Sequence, residues 1–525
     1  MSKAVDIGKV SAKGSFHILW GLVASTIISA VGTIVVARLL APSEYGIYTI
    51  AFIVPNFISI FADWGVGGAM VRYIAQYNSE GKNNSLRGIV VSGMVFKTVI
   101  ALLLSVISLL LSAFFASTVF GRPQIVSLVQ IASLMILASA FVGIAQSAFI
   151  GVERMELYSI TLVITSIVKT VLTSVLVVIG MGAFGAVTGY TLTVFFSALT
   201  SLALLGMLYR SFMGSEPYKL KIMADIRTML KYGLPLSISN ILTALFSSFL
   251  TFLLPIFATD ILIGNYSVAN NFSVLVTFFS TPITTVMFPA FAKLDGQRDP
   301  ETLKNVYQFS VKYAALLVVP AAFLLMVLSQ PAIATLFGSK YTFAPLLLSL
   351  MCAGSLSTAF GSLSNLNLIM GQGKTKFMLK LSLVMSAIGF PLGYILISRF
   401  GVIGQPITSD ISLIPIVIIG LLWLKKNYGA TVDLASSARI ILSSGIAALV
   451  TYSFVYFTAF SSVAELIVGI VIFMFTFVPA ALLTRALTVT DINNLRVLVP
   501  EIRHLHKFFD SILNLLEKVA IILRV

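Results

Sequence analysis

Three lysines, Lys97, Lys169 and Lys312, interrupt stretches of sequence that are otherwise apolar over the length of a membrane helix. A cation in such a stretch is costly unless a cavity, a counter-charge or a polar ligand receives it, so each marks a place where chemistry is possible. At about 1.5 Å of rise per residue, counted from its helix start, each lies roughly 15–18 Å deep, near mid-membrane. Lys169 has the best-organised surroundings. Thr161, Thr165, Lys169 and Thr173 recur at i, i+4, with Ser166 and Thr170 alongside. A polar stripe on one face of a membrane helix predicts a lining for water or a polar ligand. Lys312 extends a similar row with Asn305 and Gln308, whereas Lys97 has poorer company. Further stripes run through Ser355, Thr358, Ser362 and Asn365, and through Asn270, Thr277, Thr281 and Thr284. Hydroxyls also serve helix packing, but together these rows predict a hydrated, hydroxyl- and amide-rich cavity suited to sugars. Asp63 and Asp410 are placed to pair with a buried lysine or to take part in ion coupling, and structural pairing is the preferred reading for both.

Other chemistries find no support. "GQGKT" at 371–375 resembles the end of a phosphate-binding loop, but that motif requires glycine where Leu368 stands, and a strand before it. No HExxH, metal-ligand cluster or Ser–His–Asp group is present, so no cofactor or metal is expected and the protein is not read as an enzyme. Cys352 is the single cysteine, which excludes an intramolecular disulfide.

The elements that must position these residues are membrane helices. The chain is 58% hydrophobic and 10% charged, with a mean hydropathy of +1.02, against roughly 25% charged residues in a soluble domain. Fourteen spans are predicted, at 15–40, 46–74, 86–117, 123–150, 157–180, 183–210, 229–258, 262–292, 302–329, 341–370, 376–399, 402–425, 436–459 and 463–485. Of the 34 Lys and Arg, 27 then fall in alternate loops on one side, and only Arg38, Arg122, Lys340 and Arg399 on the other. Cationic loops stay in the cytoplasm, so both termini are expected there, in a multi-pass protein of the cell membrane. The net charge of +15 is spread over many short loops, which fits anionic lipid and excludes a nucleic-acid face.

The two halves repeat. Gly46 and Tyr48 match Gly264 and Tyr266 at an offset of 218, Gly151 matches Gly371 at 220, and "GAFGA" at 182–186 matches "GVIGQ" at 401–405 at 219. The expected fold is therefore all-α: two six-helix lobes related by a pseudo-two-fold axis along the membrane normal, with two further helices appended. The boundaries predicted are a cytoplasmic segment at 1–14, an N-lobe at 15–210, a loop at 211–228, a C-lobe at 229–427, helices 13 and 14 at 434–487, and a cytoplasmic amphipathic helix within 490–525. That last segment places Ile502, Leu505, Phe509, Ile512 and Leu516 on one stripe, as in a helix lying on the inner leaflet.

Two motifs carry a family resemblance. "ARLLAPSEYGIY" at 37–48 and "DWGVGGAMVRYIA" at 63–75 resemble the turn between helices 1 and 2, and the inner end of helix 2, in the polysaccharide-transporter (Wzx-like flippase) branch of the multidrug/oligosaccharidyl-lipid/polysaccharide exporter superfamily. The resemblance covers about residues 10–490. It implies movement of a polyprenyl-linked oligosaccharide from the inner to the outer leaflet, by alternating access of a cationic cavity between the lobes. The expected partners are that substrate and membrane lipids, with glycan-assembly enzymes as candidates and a monomeric state. A cation-coupled multidrug antiporter of the same superfamily is the alternative, and would prefer an acidic cavity. A membrane glycan polymerase or ligase would need a large outer loop, and the outer loops here are short.

Overall fold

A computed structural model of the chain describes residues 2–211, 221–278, 287, 290–294, 296, 298–458 and 460–492. Among them every regular element is helical. This is what a bilayer demands, since a backbone without water must satisfy its own hydrogen bonds. Among the described residues, ten stretches are long and apolar enough to cross a membrane, or eleven when the bent pair 344–360 and 362–371 is taken as one. The protein is thus an all-α, multi-pass membrane protein.

The chain begins with α1 (Ser2–Leu39), so residues expected to precede the first span continue its helix. The second span, expected as one helix over 46–74, is broken into α2 (Pro42–Ala51), α3 (Ile53–Ser59) and α4 (Val66–Ser79). The break follows Asp63, where Trp64 and Gly65 take φ of 49° and 77°. Next come α5 (Asn83–Ala113), α6 (Val126–Ser133), α7 (Met135–Gly151), α8 (Met155–Leu176), α9 (Gly182–Ser211), α10 (Ile222–Phe257) and α11 (Asp260–Phe278). The second half contains α12 (Pro300–Val327), α13 (Ser329–Leu336), α14 (Ala344–Gly354), α15 (Ser362–Gly371), α16 (Thr375–Phe400), α17 (Gly404–Tyr428), α18 (Leu434–Phe457) and α19 (Ser462–Leu483). The span expected at 341–370 is bent by 54° between α14 and α15. The loop predicted at 211–228 gives way to α10 from Ile222 onward. Thr281, Thr284 and the stripe at 502–516 lie outside the described residues.

Packing shows how several of these helices run relative to one another. The apolar stretch 155–210 is 56 residues long, about 84 Å as one helix against ~30 Å of hydrocarbon. It folds back on itself. Thr165 Oγ1 meets Ser197 Oγ at 2.8 Å, and Gly189 packs on the Thr173 backbone. Both pairs straddle Met181 symmetrically, as an antiparallel hairpin requires, and Gly180 (φ 94°) and Gly182 (φ 53°) supply its turn. The 54-residue stretch 375–428 reverses in the same way: Phe377 stacks on Trp423 at 4.5 Å, straddling Phe400. By contrast Gly21 packs on Ser159, Ser29 bonds Ser166 at 3.1 Å, and Gly32 packs on Thr170. A near-constant offset of this kind means that α1 and α8 run parallel. Small residues fill this seam because apolar bulk gains nothing over lipid.

The chain divides into two compact units, Met1–Asn271 with Ser386–Gln405, and Phe272–Met385 with Pro406–Val525. A core of Met70, Ile89, Ile144, Phe149 and Met229 lies in the first. In the second, Phe291, Tyr307, Leu368, Leu381 and Tyr428 form one core, and Ala315, Ile440, Leu482 and Ile492 another.

Candidate functional site

A cavity of about 350 Å³ lies within the first unit. One wall is a single face of α2 and α3: Tyr45, Tyr48, Thr49, Phe52, Ile53 and Asn56, which recur at i, i+3 and i+4. Pro42 sets the first turn of α2 in helical φ, and the Glu44 carboxylate accepts from the Ala41 N–H at 3.3 Å, so the face is fixed from its start. Opposite it, α11 presents Tyr266, Ser267, Asn270 and Asn271, and α10 adds Ser248 and Thr251. Lys169 enters from α8 and Tyr190 from α9. A recess beside the cavity extends to Thr173.

The aromatic rings form a continuous series. Tyr45 and Tyr48 lie 5.6 Å apart, Tyr48 and Phe52 5.5 Å, and Phe52 and Tyr190 4.9 Å. The Lys169 ammonium sits 5.4 Å from the Tyr190 ring centroid, where the negative ring face stabilises it. The Asn271 amide donates to the Tyr45 hydroxyl at 3.2 Å. Asn56 and Asn270 are exposed. The lining holds one cation and no carboxylate. Such a site can bind one negative charge, stack a sugar ring on an aromatic face, and hydrogen-bond hydroxyls through amides.

The sequence-predicted residues divide three ways. Lys169 and Asn270 line the cavity, and Thr173 its recess. Thr165, one turn from Lys169, turns to Ser197 and to the Thr161 carbonyl instead. Lys97 and Asp63 form an ion pair elsewhere in the unit, with the Lys97 side chain 9% and the Asp63 side chain 52% exposed. The break after Asp63 creates this pair. It frees the carboxylate to accept from the Gly67 N–H at 3.1 Å, at the positive end of α4, within reach of α5.

The remaining candidates belong to the second unit. Lys312 donates to Asp491 at 2.6 Å. Asp491 also accepts from the Tyr313 hydroxyl at 2.9 Å and from the Thr488 hydroxyl and N–H at 2.7 and 2.9 Å. Burial alone would raise the Asp491 carboxyl, but the hydrogen bonds from Lys312 and Thr488, with the Lys312 charge, hold it below its ordinary value. Gln308 donates to the Thr431 carbonyl at 3.0 Å, and Asn365 accepts from the Tyr307 hydroxyl at 2.5 Å. Asp410 lies against Gly354 at the end of α14.

Both family-like motifs acquire physical roles. In the first, Gly46 packs on the Asp260 carbonyl and Gly264 on the Pro42 carbonyl, each so closely that any Cβ would overlap backbone. In the second, Gly65 touches Gly233 of α10, and the Arg72 guanidinium covers the Tyr232 ring at 4.1 Å. Sequence reasoning passed over Arg122, which donates to Asp260 Oδ1 at 2.6 Å and to the carbonyls of Phe120, Pro255 and Ala258 at 2.8, 2.5 and 2.8 Å. It thereby satisfies carbonyls orphaned at the end of α10. It also passed over the tyrosines, although Tyr48 and Tyr266, matched between the repeats, were the signal that could have found them.

Comparison with known proteins places this geometry in context. The model of the family described as "Polysaccharide biosynthesis protein" matches residues 35–344. Among curated relatives, the "probable low-salt glycan biosynthesis flippase Agl15" of Haloferax volcanii is 23% identical over 250 residues, 47% of this chain and 52% of that protein. The chain therefore spans about half the length of that relative. The "lipopolysaccharide biosynthesis protein WzxC" of Escherichia coli is 25% identical over 368 residues, 65% of this chain and 67% of that protein. Among solved structures, the lipid II flippase MurJ in an inward closed conformation superposes with a TM-score of 0.72 at 16% identity, over 88% of this chain and 97% of that one, a likeness of fold. With the family model spanning more than half of its length, the chain belongs to the polysaccharide biosynthesis protein family, as its two motifs led one to expect.

Proposed function

We propose that this protein is a flippase that carries a polyprenyl-linked oligosaccharide from the cytoplasmic to the outer leaflet by alternating access, for assembly of a surface polysaccharide or glycoprotein glycan. The observation that carries this reading is the cavity at membrane depth, where one lysine stands among tyrosines and amides without a carboxylate. Lys169 receives the anionic linker, the rings and amides receive the glycan, and the polyprenyl tail remains in the bilayer. The names of the relatives Agl15 and WzxC support the same role. A cation-coupled drug antiporter calls for acidic groups in the cavity, and the lining offers none. Cells lacking the gene should lose their surface glycan and regain it with the native gene; undiminished export in a strain without any related transporter would sink the proposal.

The finer architecture belongs to the same reading. Fourteen crossings, with both termini in the cytoplasm of a cell-membrane protein, accommodate the hairpins at Met181 and Phe400 and the bent pair of α14 and α15. Reciprocal contacts support a two-fold relation between the halves: Gly46 on Asp260 and Pro42 on Gly264 exchange partners at the repeat offset. Cysteines introduced at Gly182 and Asn427, after replacement of Cys352, should react with an impermeant thiol reagent in intact cells at 182 alone. Labelling at 427 would overturn the orientation.

A further inference from the structure

The cavity's charge narrows the linker it can accept. Four cations stand out by position: Lys97, Lys169 and Lys312 inside spans, and Arg122, which precedes α6 and bonds the end of α10. Three of them already hold a carboxylate. Lys97 pairs with Asp63, Arg122 with Asp260 and Lys312 with Asp491. Each of these is neutralised by a carboxylate of its own unit. Lys169 makes no ion pair among the described residues; its neighbour is the Tyr190 ring. Among the described residues, the cavity lining therefore carries a single net positive charge.

We infer that the site is matched to a linker with one negative charge, a polyprenyl monophosphate joined to its sugar as a phosphodiester, and not to a diphosphate. This inference rests on the flippase reading above. A phosphodiester leaves one charge at neutral pH, which Lys169 balances. A diphosphate diester brings a second charge into the same space, and an uncompensated ion away from water carries a large desolvation penalty. The phenols and amides around it can donate hydrogen bonds but cannot supply a second whole charge. A phosphate on the Lys169 ammonium stands beside the Tyr190 ring, next to the Phe52–Tyr48 ring series, which offers a sugar a stacking face.

The test uses the purified full-length protein in lipid nanodiscs. Two probes share one glucose and one short polyprenyl chain, and differ only in a monophosphate or a diphosphate between them. The native protein should bind the monophosphate probe at least about tenfold more tightly, a difference of about 1.4 kcal/mol. Lys169→Ala should weaken that probe about tenfold or more and erase the preference, whereas Lys169→Arg should keep it. Asn56→Lys supplies a second cation, and should move the preference toward the diphosphate probe while leaving the thermal unfolding transition in place. Equal binding of the two probes by the native protein, or tighter binding of the diphosphate, would overturn the inference and leave the flippase reading intact. Binding of neither probe by a protein with a normal unfolding transition would overturn both.

Discussion

Asp491 ties the segment after the last span to α12, and its removal has a calculable consequence. Its carboxylate takes four hydrogen bonds, from the Lys312 ammonium, the Tyr313 hydroxyl and two donors of Thr488. The Asp491 side chain is 7% exposed and that of Lys312 24%. Breaking one side of a buried pair costs about 3–5 kcal/mol, because the other charge is stranded. The partial exposure of Lys312 sets the expectation for Asp491→Ala at the low end, about 3 kcal/mol. At roughly 2 °C per kcal/mol for a large cooperative unit, the unfolding transition in detergent should fall by about 6 °C. The Asp491 carboxyl is held below its ordinary value of 3.8, so its contribution is present above that pH and is lost as acidification passes the lower folded value. Native and variant transitions should therefore differ at neutral pH and converge in strong acid. Replacing both charges, as in Lys312→Met with Asp491→Leu, strands nothing and should recover most of the loss. Glycan export that fails in this double variant at native abundance and native transition temperature would rule out a purely structural pair, and assign Lys312 to the substrate.

The Lys97–Asp63 pair should respond asymmetrically. Asp63→Ala strands an almost wholly buried ammonium, whereas Lys97→Ala strands a carboxylate that is half exposed and capped by Gly67. Thermal shifts should show the first variant to be the less stable by more than about 1 kcal/mol, and equal shifts would contradict the burial argument. Arg122→Ala removes four hydrogen bonds, two of them to the Pro255 and Ala258 carbonyls at the end of α10, and leaves Asp260 without its cation, at a cost of about 3 kcal/mol. Arg122→Lys should rescue only part of this, because a point charge cannot reach acceptors arranged for a planar fork. Full rescue by lysine would show that charge alone matters there.

The all-α, multi-pass character was legible in the sequence, because membrane helices declare themselves by length and hydropathy. The row Thr161–Thr165–Lys169–Thr173 lies along one side of α8, but a row spans the whole height of a helix. Lys169 reaches the cavity while Thr165, one turn away, meets α9. Pairing of Asp63 with a lysine was foreseeable from type and depth. The break that makes it possible was not, since a Trp–Gly step without proline gives little local signal. The partner of Lys312 lay far along the chain, in a segment read only as the approach to an amphipathic tail, and no periodicity links the two. Tyrosines in a membrane chain read first as interfacial anchors. Their role as the cavity wall emerged only when α2 and α11 were brought face to face by Gly46 and Gly264.

On the reading proposed above, Lys169 receives the anionic linker of a lipid-borne glycan during its passage across the membrane. The most direct test of that role is a translocation assay with the purified protein in liposomes loaded with a polyprenyl-linked oligosaccharide, following the glycan's appearance on the opposite face with an impermeant lectin. The native protein should translocate it, and Lys169→Ala at equal reconstitution and equal thermal stability should lose at least nine-tenths of the rate, about 1.4 kcal/mol. Lys169→Arg, which keeps the charge, should retain a measurable part. Native rates from Lys169→Ala would contradict the account.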